Sequence, residues 1–493
     1  MKRHSTYFKT LALCLIVLFS TSCKKFLEED PKRLVAITNF YKTEADAVSA
    51  VNAIYAYLNS TSTGSTAGVY HSTFWVMAGL ASDEMINEEI FSPSNDQIGK
   101  FTHGPINSSI QEVWTMHYKA ITIANIAIAR IPGIEMDAAL KTRLVNEARF
   151  LRGLLYFNLV RVFGKVPLVL EEAEPLTPSQ ASVDAVYEQI IRDLTAAKDL
   201  PLNYDVAQGR ARATSGAAKS ILSKVYLTLG KWQECATLCK EVINSNQYAL
   251  WANFADAFKL SSRGGKEAIF SVGFGDANGA IIFWEVGQFN VRLLPPQLAV
   301  EGVENSQGWQ PPTQNLYNTF DAADHRRAVT FITRARRSNG IFTNFKPYIQ
   351  KYWDRAAEPK ANGSSNDFPV IRYADVLLML AEASNELDDV TEAYKNINII
   401  RKRARFNGTV DLSSVPDYAG LSKEAFRAAV LKERRMELVA EGHRWFDLVR
   451  TKTLETLVPA AKPGVTPAPR HYLFPIPQRE IDLNPKLVQN TGY

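Results

Sequence analysis

Apolar residues spaced three and four apart recur along much of this 493-residue chain, and that period commits it to helices packed side by side. Thr43 opens one helix, with Asp46 three places on as its capping partner and Ala47, Val48, Val51, Ile54, Tyr55 and Leu58 as its stripe. Ser109 with Glu112 predicts the start of a second, running to about Ile131, where Pro132-Gly133 stops it. Leu140, Leu144, Ala148, Leu151, Leu155, Leu159 and Val162 give a third that ends at Gly164. Residues 183–199 give a fourth through Val186, Ile190 and Leu194.

Two pairs are clearest. Residues 215–229 and 233–244 are joined at Gly230-Lys231-Trp232, and their small and aromatic offsets resemble a tetratricopeptide helix–turn–helix. Residues 373–387 and 390–404 form the other, through Val376, Leu380 and Leu387, then Ala393, Ile397 and Ile400. They lie too far apart for a regular tandem array. One long helix is expected from about Ser422 to Arg450. Residues 261–315 differ in texture: Gly, Pro, Gln and aromatics, with strand-like runs at Ala268–Val272 and Ala280–Val286. Residues 59–72, 90–108, 356–369 and 405–420 also read as loops. Irregular connections of such length inside a compact body are usually functional. The expected fold class is mainly α, with hairpins forming a superhelical scaffold, loop-rich excursions and a few short strands.

The first 22 residues read as a secretory signal: basic Lys2, Arg3 and Lys9, an apolar run Leu11–Phe19, then Ser20, Thr21 and Ser22 before Cys23. A cysteine in that place looks like a bacterial lipobox, which predicts lipidation of Cys23 and a stable anchor on several acyl chains. Ordinary cleavage leaving a free cysteine is the alternative. No later segment is apolar enough to span a bilayer; Leu151–Leu170 is interrupted by Arg152, Arg161 and Lys165. The signal accounts for three of the formal +5 charges, so the remainder is nearly neutral. That balance argues against nucleic acid held by bulk electrostatics. With 46% hydrophobic and 22% charged residues the chain is not a disordered one. Cys235 and Cys239, four apart on a helix, suit a small buried core pair better than a disulfide or metal site.

No enzyme constellation appears. His4, His71, His103, His117, His325, His443 and His471 lack metal-ligand spacing. Gly64-Ser65-Thr66-Ala67-Gly68 has Thr where a nucleophilic serine would sit, and Gly273-Phe274-Gly275 leads into a strand-like run rather than a helix. Asp83, Glu84, Glu88 and Glu89 form a carboxylate cluster, for which a glycosidase reading competes with ligand contact by Asp83 and with plain helix-end acids. The block Glu433–Arg450 reads as a packed helix with paired charges. Arg326, Arg327, Arg334, Arg336 and Arg337 read as a solvated surface or a helix-end pairing.

Loop aromatics carry the remaining signal. A sugar offers a C–H face to an exposed ring and a hydroxyl rim to nearby amides and charges. The candidate ligand-binding residues are Tyr70, Trp75, Asp83, Phe91, Phe101, His103, Trp284, Phe289, Arg292 and Trp309, with Phe74, Asn290, Asn305 and Gln310 near them in sequence.

Five blocks in order resemble the SusD/RagB family of Bacteroidetes outer-membrane nutrient-binding lipoproteins. They are Ser22-Cys23-Lys24-Lys25-Phe26-Leu27; Glu147-Ala148-Arg149-Phe150-Leu151-Arg152 on to Val166-Pro167; Arg372-Tyr373-Ala374-Asp375 with Ala381-Glu382-Ala383; Glu433-Arg434-Arg435 through Arg444-Trp445-Phe446-Asp447-Leu448; and Pro475-Ile476-Pro477 to Gly492-Tyr493. The resemblance implies tetratricopeptide-like hairpins under a loop-built ligand face. It implies a signal at 1–22 and a single body over 23–493. That body divides into a helical part at about 40–260, a ligand-face excursion at 261–370 and a second helical part at 371–493. It also implies a SusC-like TonB-dependent transporter as partner, a lipid-anchored place on the outer membrane facing the cell exterior, a glycan ligand and no enzymatic activity. A peptide ligand, a lipid-tethered glycoside hydrolase and a protein-binding scaffold are the alternatives. No cofactor is expected; calcium stays open, although no loop spells its ligand set.

Overall fold

The computed structural model describes residues 40–59, 68–172, 176–204, 212–275, 286–337, 339–359, 363–406, 409 and 415–493. The signal, Cys23, the Gly64–Ala67 stretch, Trp284 and the rest of the run from Ala280 to residue 285 lie outside the described residues.

The chain is mostly helical. In order come α1 (Glu44–Asn59), α2 (Thr73–Leu80), α3 (Pro93–Gly99), α4 (Ser108–Arg130), α5 (Ala138–Phe163), α6 (Val183–Ala196), α7 (Ser215–Thr228) and α8 (Trp232–Asn244). The middle carries β1 (Ala268–Val272), α9 (Phe289–Leu293), α10 (Gln314–Thr319), α11 (His325–Thr330), β2 (Phe331–Arg336), β3 (Phe342–Ile349) and β4 (Phe368–Arg372). The chain then returns to helices in α12 (Tyr373–Glu386), α13 (Val390–Ala404), α14 (Lys423–Glu437), α15 (Arg444–Arg450), α16 (Leu454–Ala461) and α17 (Gln478–Leu483).

Helix starts follow local side-chain chemistry. Thr43 and Asp46 bond each other's backbone N–H groups at the head of α1, at 3.2 and 2.9 Å. Ser182, Thr214, Asp389 and Ser422 cap α6, α7, α13 and α14 in the same manner. At α4 the cap is Asn107, whose Oδ1 accepts from the N–H groups of Ser109 and Ile110, so the helix begins before the expected Ser109–Glu112 pair. Gly164 and Gly230, at φ +70° and +68°, end α5 and turn α7 into α8.

Neighbouring helices pack as the apolar stripes require. Helix α5 packs on α4 and α6, α7 on α8, α8 on α12, and α12 on α13 and α14. One core runs through α1, α4–α8 and on to Leu487. A smaller one joins Leu377, Ile397, Ile400, Phe426 and Val430. Cys235 and Cys239 are free and buried in the α8 face, as expected of core residues. Among the described residues no helix is long and apolar enough to cross a membrane.

Two antiparallel pairs, β1–β4 and β2–β3, supply the short strands, and the Ala268–Val272 run is one of them. Leu294, Leu298, Val303, Ile332, Ala335 and Tyr348 form a separate apolar cluster beneath the β2–β3 hairpin.

The expected helix from Ser422 to Arg450 is not continuous. It breaks after Glu437, where Ala440 and Gly442 take φ +62° and +72°. Carbonyls that a helix would bond internally are taken from outside. Lys351 Nζ donates to the Glu437 and Val439 carbonyls at 3.3 and 2.9 Å, and Tyr352 donates to Ala440 at 3.2 Å. A Cβ on Gly442 would sit 3.3 Å from Trp75 Cβ in a left-handed conformation, so glycine fits that corner best. The break turns Glu441 inward, where Arg372 and Lys351 hold it.

Candidate functional site

The site begins with an anchor. Residues 84–88 run antiparallel to 309–313: Thr313 N–H donates to Glu84 O (2.7 Å), Ile86 to Pro311 O (3.0 Å) and Glu88 to Trp309 O (2.8 Å). At its root, Asp83 receives two bonds from Arg444, at 2.7 and 2.9 Å, and its backbone carbonyl takes one from Arg435 at 2.6 Å. Burial alone would raise the Asp83 carboxyl, but Arg444 and Arg435 hold it below its ordinary value. Asp83 thus fixes a ribbon to α14 and α15 and has no free face for a ligand, which corrects the expectation of contact there.

At the other end of the ribbon the side chains emerge. The Arg292 guanidinium lies over the Trp309 ring at 5.1 Å and donates to Glu89 at 3.2 Å and Gln310 at 3.4 Å. Asn95 donates to the same Glu89 oxygen at 2.7 Å, and Gln310 bonds Asn87 at 3.4 Å. Lys346, from β3, pairs with Glu88. Gly308, at φ +62°, lets Tyr348 press against the turn; a Cβ would fall 2.5 Å from the ring. Trp309 is half-buried on this bed, while Ile90 and Phe91 stand 83% and 82% exposed beside it in sequence to Glu89. The result is an indole with one side backed by a cation and with the partly exposed Asn87 and Glu89 near its edge, supported from below by the buried Gln310 and Asn95.

Two of the ten candidates therefore meet, Arg292 and Trp309, while Phe91 is exposed two places after the Glu89 that Arg292 holds. Trp284 lies outside the described residues. The structure places the other aromatics in the core, a correction with one physical cause. Tyr70 stacks on Phe368 at 5.1 Å and accepts from Asn158 at 2.8 Å. Trp75 packs at 5.4 Å on Phe289, which itself stacks on Tyr352 at 3.9 Å. Phe101 and His103 pack with His471, and His103 stacks on Phe474 at 4.8 Å. Burial pushes the His103 imidazole down to about 3. Irregular backbone does not mean exposed side chains: these rings fill space between elements far apart in sequence. Asn290 is likewise spent, donating to Gly363 O at 2.6 Å. Sequence reasoning missed Asn87, Asn95 and Lys346, which reach the site only through tertiary contacts.

Each acid of the cluster is already engaged or buried. Glu84 is fully buried, Glu88 is tied to Lys346 and Glu89 to Arg292. Among the described residues no group of three or more His, Cys, Asp or Glu is placed to hold a metal ion. A cavity of about 910 Å³ lies between the α7–α8 turn and α14–α15, but its arginines are committed, Arg427 to Glu386, Arg450 to Glu382 and Arg444 to Asp83.

Comparison with known proteins agrees with this architecture. Residues 333–493 match a model described as the SusD family, and residues 25–227 match one described as starch-binding, associating with outer membrane. A SusD-like protein of Formosa agariphila is 32% identical over the full length of both chains. The chain belongs to the SusD family.

Among solved SusD-like structures, a laminarin-binding protein superposes with TM-score 0.78 at 26% identity, over 92% of this chain and 100% of that one. A protein from Parabacteroides distasonis gives TM-score 0.78 at 25% identity, over 91% and 99%. The two SusD family models leave residues 228–332 unmatched between them, and Arg292 and Trp309 fall in that interval. The SusD-like motifs read from sequence are mostly scaffold. Arg152 grips Asp193 with two bonds of 2.8 Å, and Arg434 bridges Asp375 and Asp447 at 2.7 and 2.8 Å.

Glu84 makes a test of the anchor. Burial, then the neighbouring Asp83, pushes its carboxyl up to about 8 from an ordinary 4.5. Between these pH values the unfolded chain has released a proton that the folded chain keeps. Glu84's contribution is therefore fully present below pH 4.5 and is lost as pH rises to about 8. Glu84→Gln removes that titration and should gain about 2–4 kcal/mol over wild type at pH 7 relative to pH 4.5. Urea unfolding at both pH values checks it; an unchanged difference between variant and wild type would refute it.

Proposed function

We propose that this chain is a non-catalytic, lipid-anchored outer-membrane protein that binds an oligo- or polysaccharide and delivers it to a SusC-like TonB-dependent transporter. The observation that carries the binding reading is the partly exposed Trp309 ring backed by Arg292, with Asn87 and Glu89 at its rim, Gln310 buried beneath holding them, and Phe91 exposed nearby in sequence. The indole covers the C–H face of a pyranose and the rim bonds its hydroxyls. Membership of the SusD family supports the transporter, and the cysteine after the apolar run supports the lipid anchor. The division into a helical base at about 40–260 and 371–493 with a ligand-face excursion at 261–370 fits the place of Arg292 and Trp309.

The test is affinity electrophoresis of the full chain in detergent against a panel of polysaccharides and peptides, with laminarin first because one similar SusD-like structure is a laminarin-binding protein. Retardation by one polysaccharide class, without release of reducing ends, is the expected result. Retention of peptides alone, or reducing-end release lost in Glu88→Gln, would replace this reading.

A further inference from the structure

Most arginines of the helical body are locked to carboxylates, but three around the β2–β3 hairpin are not. The register shifts between Ile332 and Arg334. Across that irregularity Ile332 and Ala335 are both buried in the apolar cluster below, while Arg334 and Arg336 are exposed. They face a cavity of about 790 Å³, lined also by Arg327 of α11, Arg355, Tyr317 and Phe342, with Glu301 as the one acid in its lining. Glu301 pairs with Arg355. Among the described residues the guanidinium groups of Arg327, Arg334 and Arg336 have no carboxylate partner. Arg327 lies over Tyr317 at 4.4 Å, and Arg334 over Phe342 at 4.7 Å. Arg326, the neighbour of Arg327, is by contrast fully buried and bound to Asp324 and Glu433, each at 2.7 Å.

Clustered positive charge on low-dielectric walls repels itself and concentrates anions. Planar guanidinium forks match carboxylate and sulfate groups. Phe342, 52% exposed, adds an apolar face of the kind a sugar ring needs. Strand β3 also carries Lys346, which belongs to the Trp309 surface, and Phe342 and Lys346 are both exposed on alternate positions of that strand. Four residues of strand span about 13 Å, so one extended chain can touch both places.

We infer that this arginine groove is a second binding site that takes the carboxylate or sulfate groups of an anionic polysaccharide held at the Trp309 surface. The inference rests on the glycan reading above, and the experiment separates them. The full chain in detergent is run in gels containing laminarin, dextran, dextran sulfate or polygalacturonate. Wild type should be retarded by dextran sulfate or polygalacturonate, the two arms telling sulfate from carboxylate, and not by dextran. Arg334→Gln/Arg336→Gln should weaken that retention at least tenfold, leave any laminarin retention unchanged and leave the melting temperature unchanged. Phe342→Ala should weaken it independently. Equal retention by dextran and dextran sulfate, no charged-glycan retention, or an unaltered double variant would overturn the groove while leaving the glycan reading standing. Failure of every polysaccharide in the panel, neutral and charged alike, would strike the glycan reading instead. Tighter arginine-dependent retention of single-stranded DNA than of either charged glycan would overturn the inference in favour of nucleic acid.

Discussion

Arg372→Gln should cost about 3–5 kcal/mol of folding stability, the usual loss when one partner of a buried ion pair is removed. Arg372 ends β4 where α12 begins, and it is buried. It donates to Glu267 and Glu437 at 2.7 Å each, to Glu441 at 2.8 and 2.9 Å, and to the Glu437 carbonyl at 2.7 Å. Arg403, Arg326 and Lys351 share these carboxylates, so the cluster joins the middle of the chain to α13 and α14. Without Arg372 three buried acids lose their common partner. A domain's whole stability is only about 5–15 kcal/mol, so the variant should unfold at much lower urea. Arg427→Gln, which breaks the exposed pair with Glu386, is the control and should cost under about 1 kcal/mol. Equal losses in the two variants would refute the argument. The same cluster sets an acid limit. Burial would raise Glu437, but Arg403, Arg372 and Arg326 hold it down at about 2. Its contribution is present above pH 4.5 and is lost as pH falls toward 2.

Trp309→Ala should weaken polysaccharide binding by about 1.5–3 kcal/mol, roughly ten- to a hundredfold. The ring offers its face to the ligand, and it also holds Arg292 in place, which in turn holds Glu89 and Gln310. Truncation removes the stacking surface and loosens the rim together. Because Trp309 lies outside the buried apolar clusters and is only partly buried, the fold should lose little, and the melting temperature should stay within a few degrees. Phe91→Ala should weaken binding less, since Phe91 stands free of any supporting bed. Affinity electrophoresis and calorimetry on both variants check this. Wild-type affinity in Trp309→Ala would move the site elsewhere.

The helical frame was legible because its signals are local. The stripes at 215–229 and 233–244, and at 373–387 and 390–404, need only neighbours three and four places away, and each became a packed pair. That the charges of Glu433–Arg450 are paired against the body was also readable, but their partners, Asp83, Asp375, Glu382, Arg326 and Arg401 among them, lie far away in sequence. The site was legible only in part. Trp75 meets Phe289, and His103 meets Phe474, across hundreds of residues, and nothing local separates a ring that packs from a ring that waits for ligand. Arg292 and Trp309 were visible as types but not as partners. The break at 438–443 escaped because apolar spacing continues through it, while the bonds that bend it come from Lys351, Tyr352 and Arg372.

The Asp83 clamp has a consequence for how such a binder diversifies. The ribbon is nailed down at its base by Arg444 and Arg435 and tied along its length through main-chain atoms, which any sequence possesses. Its tip can therefore exchange side chains, and with them the menu of solutes it recognises, without renegotiating the frame that carries it.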